Sequence, residues 1–212
     1  MMVQYNKIFW LEDMPDFLEY YFSNGAHTGL NRNDLLARIA WAHDFEEGAS
    51  IVQNSDFNLY VLDADFPDVC TPQHRKNVED CLRMIKNNNF EYGNIIRDNN
   101  DVVTNNFVKF YQQFLLQSKN RVIVHSMSTL APIFAFALNL PFYCKGGLNK
   151  DECKNDAQLW RAHIKMEAED MKDDEITEFF ARLKINKKSF DLNQLETYEC
   201  GSAVHFIERY IL

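Results

Sequence analysis

Four short apolar runs in this chain each stop at a polar residue, and that repetition limits the fold more than any other feature. Lys7-Ile8-Phe9-Trp10-Leu11 stops at Glu12-Asp13, and Asn58-Leu59-Tyr60-Val61-Leu62 stops at Asp63. Arg121-Val122-Ile123-Val124-His125 stops at Ser126, and Pro141-Phe142-Tyr143-Cys144 stops at Lys145. Runs of this length, rich in aromatic and β-branched residues, predict strands. Apolar residues at consecutive positions mean that both faces are covered, as in a parallel sheet. A further strand is expected at Leu35 to Trp41.

Helix-length segments separate these strands. Asp16 to Phe22 reads as one helix, and Asp44 to Asn54 as another, with Phe45, Ala49 and Val52 at helical spacing. Leu130 to Leu138 is apolar throughout and reads as a buried helix. Strands alternating with helices predict right-handed crossovers and an α/β fold. In such a sheet the ligand site lies beyond the carboxyl ends of the strands. Glu12, Asp13, Asp63, Ser126 and Lys145 are therefore expected on one rim.

Two stretches exceed a minimal unit. Residues 68–120 form an insertion before the fourth strand, with helical patterns at Pro72 to Lys86 and Asp101 to Gln117 around an Asn-rich loop. Residues 151–212 form a tail with helical patterns at Asp156 to Met171, Asp174 to Ile185 and Ala203 to Leu212. The expected organisation is a domain over 1–150 with a helical C-terminal extension over 151–212.

Composition narrows the function classes. The chain is 46% apolar and 25% charged, which excludes disorder as its main state. A net charge of -9 argues against a nucleic-acid surface over the whole molecule. Lys184, Lys187 and Lys188 form a small basic cluster, but Asp170, Asp173, Asp174 and Glu175 precede it. No apolar run approaches the roughly 18 residues of a membrane helix, and the first residues lack the pattern of a signal peptide. Cys70, Cys81, Cys144, Cys153 and Cys200 have neither CxxC nor zinc spacing, so five thiols in a reducing cytoplasm are expected.

Taken singly, the rim residues have plain readings. Asp63 and Ser126 suit helix caps, Glu12-Asp13 before Pro15 suits a turn, and Lys145 before Gly146-Gly147 suits a solvated turn. Together they make a chemical set. Crowded carboxylates need a cation, and magnesium takes oxygen ligands. A lysine supplies one positive charge, and a hydroxyl hydrogen bonds to an anionic oxygen. The set suits a phosphoryl group attacked by a carboxylate.

The order of these motifs resembles the receiver domain of bacterial two-component response regulators, over roughly residues 6 to 148 with the insertion excepted. Lys-Ile-Phe-Trp-Leu-Glu12-Asp13 is similar to that family's first motif, and Leu-Asp63-Ala-Asp65-Phe-Pro67 to its phosphoacceptor motif. Val-Ile-Val-His-Ser126 and Pro-Phe-Tyr-Cys-Lys145 are similar to the third and fourth. The resemblance implies a flavodoxin-like doubly wound sheet of five parallel strands in the order 2-1-3-4-5. It implies Asp63 as phosphoacceptor and Mg2+ held by Glu12, Asp13, Asp63 and the backbone carbonyl of Asp65. Ser126 and Lys145 would bind phosphoryl oxygens, and Ser126 and Phe142 would be switch residues. The implied partners are a histidine kinase or phosphotransfer protein and a downstream protein target. The chain departs from the family at Gly146-Gly147, where proline is usual, at the added acid Asp65, and in the long insertion.

Two other readings use the same residues. A haloacid-dehalogenase-type phosphatase also orders an Asp nucleophile, Ser, Lys and a late acid pair, matched here by Asp63-Ala-Asp65, Ser126, Lys145 and Asp173-Asp174. An adaptor on a receiver-like scaffold would keep the acids without using them.

Overall fold

The computed structural model describes residues 7–13, 37–73, 76, 106–126, 128, 130–145, 156–170, 180–181, 184 and 190–211. Its centre is an all-parallel sheet of β1 (Ile8–Leu11), β2 (Ile39–Ala42), β3 (Leu59–Leu62), β4 (Val122–Ser126), β5 (Phe142–Cys144) and β6 (Cys200–Ser202). The order is β2-β1-β3-β4-β5-β6. The first five strands thus stand in the expected order. The expectation of five strands is corrected by β6, which pairs with β5 through Phe142–Cys200 and Cys144–Ser202. The tail is therefore not purely helical.

The helices follow from local signals. α1 (Phe45–Asn54) begins at Asp44, whose Oδ1 accepts from the Glu47 amide at 2.8 Å. Glu47 reaches back to accept from the His43 amide at 2.9 Å, so two of the orphan donors at this end are satisfied. α2 (Ala131–Leu138) carries Pro132 in its first turn and stops at Asn139, whose φ of 54° is left-handed. α3 (Asp156–Asp170) fulfils the expected helix there. α4 (Ala203–Phe206) continues as a wider π turn, Ile207–Ile211. In the insertion, residues 106–121 are helical, passing through a π turn at Tyr111–Leu115. The helices expected at Asp16 to Phe22 and Asp174 to Ile185, most of Pro72 to Lys86, and the Asn-rich loop lie largely outside the described residues.

β1, β3, β4 and β5 are buried on both faces, as their continuous apolar runs require, while β2 is half-buried. Phe9, Leu11, Tyr60, Leu62, Val124 and Phe142 face one core with α1, α2 and the 106–115 helix. Gly48 brings α1 close: a Cβ there would lie 3.0 Å from the Phe110 ring. Ile8, Trp10, Val61, Ile123 and Tyr143 face a second core closed by Phe206, Ile207 and Ile211. A fully buried side chain of this size contributes about 1.5–3 kcal/mol. The tail is tied in by polar contacts as well. The Tyr198 hydroxyl donates to the Leu140 carbonyl at 2.7 Å.

The topology also locates a crevice. The chain runs outward from β1 to β2, then returns past β1 to β3 and continues the other way. The reversal lies between β1 and β3, and the carboxyl ends of those strands flank it. Leu11 leads to Glu12 and Asp13 there, and Leu62 leads to Asp63.

Candidate functional site

The sheet ladder carries its order into the loops that follow. The Glu12 amide donates to the Ala42 carbonyl and the Asp63 amide to the Leu11 carbonyl, each at 2.9 Å. The Lys145 amide donates to the Ser126 carbonyl at 3.2 Å. Four strand ends are thus held in register by backbone bonds before any side chain is considered.

The side chains then meet. Lys145 Nζ lies 2.7 Å from the Glu12 carboxylate and 2.5 Å from Asp63 Oδ2. The Asp63 Oδ1 accepts from the Ala64 amide at 2.7 Å and the Asp65 amide at 3.3 Å. The Ser126 hydroxyl lies near Asp63, favouring its ionised form, and accepts from the Ser128 amide at 3.2 Å. Carboxylate oxygens of Glu12, Asp13 and Asp63 lie within 4.8 Å of one another. Glu12, Asp63, Ser126 and Lys145 are all buried, at 1%, 4%, 1% and 4% exposure.

Burial sets the electrostatics. It pushes the Glu12 carboxyl up to about 8; Lys145 pulls it down, while Asp63 and Asp13 push it further up. Burial raises Asp63 too, again opposed by Lys145. For Lys145 burial works against the charge, but Asp63, Glu12 and Asp13 outweigh it and hold the ammonium protonated well above the usual range. Removing charges from water costs several kcal/mol per ion, so a buried cluster like this is a poor way to stabilise a fold. Its arrangement points to use.

The donor set fits a hard divalent cation. Counting these four described groups alone, and with all of them ionised, three carboxylates stand beside one ammonium. All the candidate ligands are oxygens, as magnesium requires. Glu12, Asp13 and Asp63 would hold such an ion.

The structure thus brings together Glu12, Asp13, Asp63, Ser126 and Lys145. It does not bring in the Asp65 side chain, which is exposed. Phe142 is buried in the core away from the charges, edge-on to the Trp160 ring at 5.1 Å. Asp173 and Asp174, the late acids of the phosphatase reading, lie outside the described residues. Cys70, Cys144 and Cys200 form no disulfide.

One neighbour went unnoticed in the sequence. His125 is fully buried on the second face, its ring against Trp10 at 5.3 Å and Phe206 at 4.8 Å. Burial, and then the charge of Lys145, hold it well below its ordinary pKa, so it stays neutral. The available signal was its place inside an otherwise apolar strand, where a histidine must be buried.

Among the described residues no helix is long and apolar enough to cross a membrane. Comparison of the chain with protein-family models, with curated proteins and with solved structures gives no match in any of the three.

Proposed function

We propose that this chain is a receiver-like signalling module that accepts a phosphoryl group on Asp63 and thereby changes its contacts with other proteins. The observation that carries the reading is the position of Lys145 Nζ. It bridges Glu12 and Asp63 from 133 and 82 residues away, at the topological reversal of a parallel sheet. The finer description of the fold as flavodoxin-like belongs to this reading, as does a cytoplasmic setting with a histidine kinase or phosphotransfer protein as donor.

In the reaction, an Asp63 carboxylate oxygen attacks phosphorus. The new O–P bond forms as the donor's bond to phosphorus breaks, and the donor leaves with that electron pair. Glu12, Asp13 and Asp63 would hold magnesium, with the Asp65 carbonyl as a further ligand. When bound, magnesium neutralises charge on the phosphoryl oxygens. Lys145 transfers its ion pair from Asp63 to a phosphoryl oxygen, and Ser126 turns its hydroxyl toward another. Two amides, from Ala64 and Asp65, hold Asp63 in orientation throughout. A displaced Ser126 would be felt first by Cys144, its register partner on β5, and through that strand by Phe142, which packs on Trp160 of α3. An added charge of about -1.5 to -2 shifts the population between two such arrangements.

Intact mass after incubation of the full chain with Mg2+ and acetyl phosphate tests this. One phosphoryl adduct is expected, absent with a chelator and absent in Asp63→Asn. A folded protein that never gains the adduct overturns the reading and favours the adaptor. Steady, magnesium-dependent release of phosphate from phosphomonoesters would instead favour the phosphatase.

A further inference from the structure

The insertion before β4 reaches the loop that carries Asp63. The described part of its helix starts at Asn106, which is buried beside Phe107 and Phe110. A buried side-chain amide is costly unless it is hydrogen bonded. Asn106 Nδ2 donates to the Phe66 carbonyl at 3.2 Å, across 40 positions of sequence. The Phe66 ring is fully buried and meets the Phe110 ring edge-on, with 6.0 Å between centres. Phe66 is therefore gripped twice by the insertion, at its carbonyl by Asn106 and at its ring by Phe110.

Phe66 belongs to the loop whose first amides face the Asp63 carboxylate. The Ala64 and Asp65 amides donate to Asp63 Oδ1, at 2.7 and 3.3 Å, and Lys145 takes Oδ2. The two oxygens thus have separate partners. The carbonyls after Phe66 are bonded too: Pro67 accepts from the Phe45 amide at 3.0 Å and Asp68 from the Glu46 amide at 3.2 Å. Further on, the Cys70 amide donates to Asp44 Oδ2 at 2.9 Å. The start of α1 therefore holds the far half of the loop. Asn106 holds the near half, next to the two amides that aim at Asp63.

We propose that Asn106 is a positioning residue for Asp63: it fixes the loop through Phe66, so that the Ala64 and Asp65 amides hold the carboxylate in one orientation. It acts through the Phe66 backbone rather than on the reacting atoms. The insertion then has a task at the rim, although it lies outside the five strands that build the rim. A misplacement of about 1 Å in a reacting group is enough to cost large factors in rate, which gives a bond three residues along the loop its leverage. The effect on phosphoryl transfer rests on the function proposed above, whereas the effect on the loop does not.

Two readouts on the full chain test this. Amide hydrogen exchange at Ala64 and Asp65, without metal or phosphodonor, reports the loop itself. The initial rate of adduct formation with Mg2+ and acetyl phosphate reports its effect on Asp63. Asn106→Ala and Phe66→Leu loosen the grip from either side. Each should speed exchange at both amides and slow adduct formation by about tenfold, the ratio that one hydrogen bond sustains. Val108→Ala shortens another buried side chain of the same helix. It should lower the urea midpoint and leave both readouts unchanged. Unchanged exchange in a folded Asn106→Ala, or an equal rise in Val108→Ala, overturns the proposal. Faster exchange with an unchanged adduct rate also overturns it, because Asp63 would then not feel the loop. Should Asn106→Ala fail to fold, Phe66→Leu decides by the same readouts. A wild-type protein that gains no adduct overturns the functional reading instead, and exchange alone then judges Asn106.

Discussion

The molecule holds two clusters of charge, and they are built on opposite plans. At the rim, Glu12, Asp13 and Asp63 cluster, with Lys145 bridging Glu12 and Asp63, and three of the four groups are almost wholly buried. Near β6, Glu199 faces Arg209 with the Tyr143 and Tyr210 hydroxyls around it, and the Arg209 side chain is 59% exposed. The second cluster is neutral and partly wet, so it closes on itself. The first gathers three carboxylates around one ammonium, with Glu12, Asp63 and Lys145 buried.

The largest expected effect strikes the rim. Lys145→Met removes the base that bridges Glu12 and Asp63, and unpairing a buried charge costs about 3–5 kcal/mol. Urea unfolding at neutral pH should show that loss. A loss no larger than that of Glu199→Gln would break the comparison.

Metal dependence comes next. Glu12 has its folded pKa raised to about 8 from 4.5. A raised folded value means that the folded state binds the extra proton, so its contribution is full below about pH 4.5 and fades as pH rises through 8. In chelator, the thermal midpoint should therefore lose stability across that window, and Glu12→Gln should flatten the profile. Saturating Mg2+ should restore the loss at pH 8 by about 2.7 kcal/mol at a hundredfold excess over its dissociation constant. A midpoint at pH 8 indifferent to Mg2+ would count against a cation at the rim.

The smallest effect belongs to the balanced cluster. Glu199→Gln weakens a partly exposed ion pair and keeps an acceptor for the phenols. Its cost should be about 1 kcal/mol or less by denaturant unfolding. A larger value would show that the β6 edge, rather than the rim, is the more strained of the two.

The fold was legible where physics writes itself locally. Ile8 to Leu11 and Leu59 to Leu62 are apolar at every position because both faces are covered, and the polar residue after each run falls on the rim by topology. α1 was announced by Asp44 and by its apolar spacing. β6 was not legible. Cys-Gly-Ser has no branched or aromatic side chain, and it becomes a strand only because β5 offers it an edge. Gly201 serves that position because a Cβ there would lie 3.1 Å from the His205 Cβ. Likewise the grip of Asn106 on Phe66 depends on residues 40 positions apart meeting through tertiary packing. Nothing in their spacing foretells it.

The contact of Phe206 with Trp10, 5.5 Å between ring centres, has a consequence for how the protein is made. During synthesis Trp10, Val61 and Ile123 emerge long before residues 203–211, which supply part of their cover. A ribosome-bound chain lacking that stretch would show a sticky aromatic surface on one side of an otherwise formed sheet. That surface is sealed only after residues 203–211 have emerged, so products truncated before residue 203 should be the ones that chaperones retain.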